Sequence, residues 1–254
     1  MSLVLSLRSE LLKVKRTAAL YFSGIVAALI PFGFLLEYME VKNLKDLLAD
    51  PWNRFYGEGM MGFCFAILPL YIILVSTLLP QIEYRNNTWK QVLSSPQPLA
   101  SLFFSKYFAV QLMVLLLFVL YNLFMALSLL AIAFVSPDLH LFSHSFNWGQ
   151  WLKDNAVAFG SVQAIIVIQF WIGLWSKSFI TPIAIGVGLW LAGGMLIFEM
   201  HWPHADLFPY SHPYLVVLDN HKAKIPFVLG CSAVYTALML LVAFAGFNRR
   251  RIRG

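Results

Sequence analysis

Apolar residues run through this chain in long uninterrupted stretches, with the charged ones gathered between them. Six stretches free of Asp, Glu, Lys and Arg cover residues 17–36, 60–80, 107–135, 156–176, 182–198 and 225–247. A helix needs about 20 such residues to cross the hydrocarbon core of a bilayer. Inside lipid each main-chain group must find its partner within the protein, so runs of this length read as helices. The pattern predicts an all-α membrane protein, one domain over residues 1–254, with six transmembrane helices.

The segments between the runs have their own patterns. In residues 1–16, Leu3, Val4, Leu7, Leu11 and Val14 recur at three- and four-residue steps, with Arg8, Lys13, Lys15 and Arg16 largely elsewhere. That spacing predicts an amphipathic helix on the membrane surface, its basic side toward lipid phosphates. Residues 37–59 and 136–155 read as loops. In 199–224, Trp202, Phe208, Tyr210 and Tyr214 alternate with Pro203, Pro209 and Pro213, which predicts a broken segment folded back against the spans. The turn Lys177, Ser178, Phe179, Ile180 is short enough to force a helical hairpin. Residues 81–106 form a much longer segment. A helix over 83–93, stopped by Pro96 and Pro98, would lie along the membrane face and offer Tyr84, Arg85, Trp89 and Lys90 to a partner.

Composition supports lipid as the solvent. Of 254 residues 60% are hydrophobic and 12% charged, where a water-soluble domain carries about a quarter charged. Charge also sets the orientation. With both termini in the cytoplasm, the cytoplasmic segments hold 12 of the 18 Lys and Arg but only Glu10 and Glu83 among the 12 acids. Lys and Arg stay on that side, so both ends are expected inside and Gly57, Asn147 and Asp206 outside. The net charge of +6 then reflects orientation and anionic lipid, with no nucleic acid implied. The N-terminal run lacks a small-residue cleavage site and reads as a retained span.

Little catalytic chemistry is visible. There is no Gly-x-x-x-x-Gly-Lys-Ser/Thr loop and no His-Glu-x-x-His. No span carries an ionisable group of the kind ion-coupled carriers use. Gln111, Asn122, Gln163 and Gln169 are the deepest polar groups, and interhelical hydrogen bonding is their ordinary role. His201-x-x-His204-x-Asp206 has ligand-like spacing, but a proline-broken segment does not ensure convergence, so no metal is assigned. Cys64 and Cys231 read as buried free thiols, a disulfide being the alternative. Ala184, Gly188 and Ala192 recur every four residues, a ridge where another span or a second protomer can approach closely.

Several of these features together resemble the permease subunits of type-2 ABC exporters, in particular the bacterial group associated with lantibiotic and bacitracin immunity. The residues are the Glu10-Leu11-Leu12-Lys13-Val14-Lys15-Arg16 helix, the Glu83–Lys90 segment with its Asn87-Thr88-Trp89-Lys90 run, the proline after it, and Lys106 entering the third span. The resemblance implies a connecting helix over 3–16 and a cytoplasmic coupling helix over 83–93, with Glu83, Tyr84, Arg85, Trp89 and Lys90 seated on an ABC ATPase. It implies two ATPase subunits binding MgATP, a second permease, identical or homologous, and a bacterial cytoplasmic membrane. The expected function is export of an amphipathic or hydrophobic substrate such as an antimicrobial peptide. A membrane enzyme using His201, His204 and Asp206, or an assembly factor, are the rival readings.

Overall fold

The computed structural model describes residues 3–15, 19–40, 49–86, 89 and 97–250, and among these every regular element is a helix. Helix α1 (Leu3–Lys15) precedes α2 (Ala19–Glu40). The second span joins α3 (Pro51–Gly62), a π-helical turn (Phe63–Ile67) and α4 (Leu68–Arg85). The third is α5 (Leu99–Val135), and the fourth pairs α6 (Trp148–Ser161) with α7 (Gln163–Trp175). The fifth is α8 (Ile180–Phe198); short α9 (His212–Leu215) and α10 (Ile225–Arg250) complete the chain. Six stretches of these helices are long and apolar enough to cross a bilayer.

Two spans start earlier than their apolar runs suggest. The second begins at Pro51, where Asp50 accepts the N–H of Asn53 at 3.4 Å and proline opens the first turn, a combination that favours helix starts. The fourth begins at Trp148, capped by Asn147, whose side chain accepts from the N–H of Gln150 at 3.0 Å. Residues 51–59 and 148–155 are therefore helical where loops are predicted. Mixed charge hid both starts, although each carries an N-cap residue in its sequence.

The second and fourth spans are the most enclosed; the fifth and sixth are the most exposed. Helix α4 packs along α7, α2 along α5, and α10 against α6 and α7. Close approach of α4 and α7 depends on Gly173, where a Cβ would stand 2.8 Å from the Ser76 carbonyl. Pro80, four residues after Ser76, has no N–H to cover that oxygen, and Gly173 lets α7 fill the gap. The 199–224 segment folds back onto the bundle. Tyr210 donates its hydroxyl to Gln169 Oε1 at 3.0 Å, and Tyr214 donates to the Trp190 carbonyl at 3.4 Å.

At 37 residues, α5 is about 55 Å long, well beyond a hydrocarbon core of about 30 Å. Its first turns meet α1 and the end of α4, and Phe103 contacts Phe247 near the end of α10. The described N- and C-terminal residues thus share one end of the bundle, called here the terminal end.

Candidate functional site

Four charged side chains meet at the terminal end, drawn from three helices. Glu10 and Lys13 are three apart on α1 and therefore share a face; their ion pair measures 2.7 Å. Lys13 also reaches Glu83, in the last turn of α4, at 3.0 Å. Lys106, two turns into α5, contacts Glu10 Oε2 at 3.0 Å and pairs closely with Glu83 Oε1. Glu83 and Lys106 are each 1% exposed. Two acids and two bases leave the cluster neutral, which is what allows it to be buried at all.

The charges sit where their partners hold them. Burial disfavours the Glu10 carboxylate, but Lys106 and Lys13 outweigh that and hold its pKa below the ordinary value. Burial likewise works against the Lys13 ammonium, and Glu10 and Glu83 overcome it and raise its pKa. Around the cluster, Ser6 of α1 donates to Gln97 Oε1 at 3.0 Å. Trp89 lies with its ring 5.7 Å from Lys106 Nζ and packs against Tyr84 and Phe247.

A second set of bonds ties the same end of α4 to the α7–α8 turn. Gln81 donates to the Ser176 carbonyl at 2.7 Å, and Tyr84 donates to the Leu174 carbonyl at 2.8 Å. The last carbonyls of a helix have no partner within it, so Gln81 and Tyr84 complete the end of α7. The final two turns of α4 therefore hold α1, α5 and the α7–α8 hairpin together.

The expected sites are placed as follows. Glu83, Tyr84 and Arg85 form the last turn of α4 rather than the start of a separate helix. Trp89 is half-buried over Lys106. Lys90, the side chain of Arg85 and most of 83–93 lie outside the described residues. On α1 the buried face is Ser6, Glu10 and Val14, while Val4, Leu5 and Leu12 point outward. The predicted apolar side is thus divided between protein and surroundings, because the ion cluster claims the inner face. Ala184 and Gly188 are exposed, and a Cβ at Gly188 would meet nothing within 4 Å. Those two positions do not pack closely against the described residues, while Ala192 is half-buried; Gly186 and Gly193 make the close approach within the chain instead.

The deep amides bond between helices. Gln111 donates to Gln163, Asn122 to Asn155, and Gln169 to the Pro182 carbonyl. Cys64 and Cys231 are unpaired. Asp206 pairs with Lys224 at 3.0 Å, and no group of three ligand-type side chains forms among the described residues. Sequence reasoning missed Glu10, Lys13, Lys106 and Gln81 as site residues. The signal was available for one of them: Glu10, together with the expected Glu83, is one of only two acids in the otherwise basic segments of this end.

A family model described as ABC-2 family transporter protein matches residues 6–193. The match takes in α1 from Ser6 onward, the ion cluster, Trp89 and the α7–α8 turn, and it ends within α8, before the folded-back segment and the last span. No curated protein and no solved structure matches the chain.

Proposed function

This chain belongs to the ABC-2 family of transporter proteins and is the membrane subunit of an ABC transporter; from that premise we propose that it carries out ATP-driven export. Two copies, or this chain and a homologue, would work with two ATPase subunits that bind MgATP. The cargo class is an amphipathic or hydrophobic molecule such as an antimicrobial peptide. The terminal end would face the bacterial cytoplasm, as the excess of Lys and Arg there favours.

The observation that carries the reading is the end of α4. Glu83, Gln81 and Tyr84 join it to α1, α5 and the α7–α8 turn. An ATPase pressing on the segment that follows, Arg85 to Lys90, would move all three together. Trp89, in that segment, would pass the movement to Lys106 through its ring, a cation–π approach worth about 0.5–2 kcal/mol. Ala184 and Gly188, exposed on the outside of α8, with half-buried Ala192 beside them, suit the approach of the second permease.

Co-purification in mild detergent tests the assignment. A soluble ATPase should come down with the chain, and Trp89→Ala should lower substrate-stimulated ATP turnover at unchanged permease abundance. Wild-type turnover in Trp89→Ala would move the contact to the Lys177–Ile180 turn. Recovery of the chain with no ATPase under any condition would overturn the export reading.

A further inference from the structure

At the end of the bundle opposite the termini, three cavities lie side by side, the middle one sharing wall residues with each of the other two. The largest, about 640 Å³, is a groove whose walls include Trp52, Phe118, Val119, Phe146, Leu152 and Phe159. Its rim is open sideways, since Val119 is 64% and Leu152 62% exposed. A narrow cavity of about 40 Å³ shares Tyr56, Trp151 and Asn155 with it, and shares Gly57, Gln150 and Asp154 with a third. That third cavity, about 440 Å³, is lined by Arg54, Lys153 and Lys222 and by Glu58, Asp154 and Asp219. Both larger cavities fall in the size range of small-molecule sites, about 300–1,000 Å³.

We propose that this seam is a binding site for a zwitterionic phospholipid, one acyl chain in the aromatic groove and the headgroup in the charged cavity. Two observations choose this occupant. The first is that the polar atoms at the groove floor are already committed to one another. Tyr56 donates to the Asn122 carbonyl, Trp151 to Asn122 Oδ1, Asn122 to Asn155 Oδ1, and Asn155 to the Trp151 carbonyl. An acyl chain asks for no hydrogen bonds, whereas a peptide would bring main-chain groups left unpaired at a cost of about 1–3 kcal/mol each.

The second is charge. Three bases and three acids surround the head cavity, which suits a head carrying both signs. Arg54 with Glu58 and Lys222 with Asp219 are ion-paired at 3.0 and 2.6 Å. Lys153 forms no salt bridge with any described residue and is exposed beside Asp154. Lys153 would meet the phosphate and Asp154 the ammonium. The site does not depend on export, and its test needs no ATPase.

The test is lipid retention by the purified, delipidated chain, read by native mass spectrometry. The probes are vesicles of palmitoyl-oleoyl phosphatidylethanolamine, vesicles of phosphatidylglycerol with the same chains, oleic acid, and an amphipathic cationic peptide. Phosphatidylethanolamine should be retained over the other three by about tenfold. Ala126→Trp, which fills the groove, should abolish that preference, and Lys153→Glu should weaken it about tenfold. Leu238→Trp, on the exposed face of α10, should leave it intact and serves as the folding control. Equal retention of all probes, a preference untouched by Ala126→Trp, or preferential capture of the peptide would each overturn the proposal.

Discussion

The indole N–H of Trp190 donates at 2.9 Å to the main-chain carbonyl of Phe65, the oxygen whose partner four residues on would be Pro69. Proline has no N–H to give, and the preceding turn widens so that the Leu68 N–H reaches the Phe63 carbonyl instead. A side chain of α8 thus completes the hydrogen bonding of the second span at its π-helical turn. Trp190→Phe keeps the ring and removes the donor. We expect a loss of about 1 kcal/mol, between the interhelical average in membranes and the cost of an unpaired buried carbonyl. In a double-mutant cycle, Pro69→Ala should make Trp190→Phe nearly silent by restoring a helical donor. An additive cycle would show that the indole acts by packing alone.

Lys106 faces two carboxylates and Glu83 faces two ammonium groups, so single removals leave an uncompensated buried charge. Lys106→Met should cost about 3–5 kcal/mol and free α1. The readout is a disulfide between Ser6→Cys and Gln97→Cys, efficient with Lys106 present and poor without it. Adding Glu83→Gln to Lys106→Met leaves only the Glu10–Lys13 pair and should restore both the crosslink and part of the stability. A double variant worse than Lys106→Met would mean that geometry, not charge balance, holds the cluster.

The six spans were legible because lipid imposes one requirement, an uncharged run of sufficient length, which any window reveals. The starts at Pro51 and Trp148 were not, because a cap depends on one side chain and one N–H. The ion cluster was half legible. Glu83 was expected in the coupling segment and Lys106 entered only as a feature of the resemblance; that both meet Glu10 depends on how α1 crosses α5. The aromatic groove left no periodic trace, since Trp52, Phe118 and Phe159 come from three separate spans.

His212 is buried in the folded-back segment, with Nε2 3.0 Å from the Asp206 carbonyl. Burial pushes its pKa down to about 4 from 6.5, with the Asp206 and Ser161 carbonyls and the Asp206 charge opposing only in part. The folded state therefore holds fewer protons than the unfolded state between those values. Stability is full above about pH 6.5 and falls toward pH 4, by about 3 kcal/mol at the lower end. Glu10, whose pKa is lowered, adds its loss only below its ordinary value of 4.5. His212→Gln should flatten the melting temperature between pH 6.5 and 4.5. An unchanged acid slope in that variant would assign the titration elsewhere.

Two glycines of α8, five residues apart, separate packing within the chain from packing between chains. A Cβ at Gly193 would stand 2.7 Å from the Tyr210 carbonyl oxygen, and main chain there cannot step aside. Gly193→Ala should therefore cost about 1–3 kcal/mol and loosen the 199–224 segment, seen as faster proteolysis within it. At Gly188 a Cβ meets nothing within 4 Å, so Gly188→Leu should leave the melting temperature of the isolated chain unchanged. If the Ala184, Gly188 and Ala192 ridge is where a second permease approaches, the same substitution holds the helices apart and lowers the dimer fraction in detergent. Gly188→Cys should then form a crosslinked dimer under oxidation. A Gly188→Leu chain that dimerises as well as wild type would place the ridge against lipid and send the search for the interface to α2, whose Tyr21, Ile25 and Phe32 are also exposed.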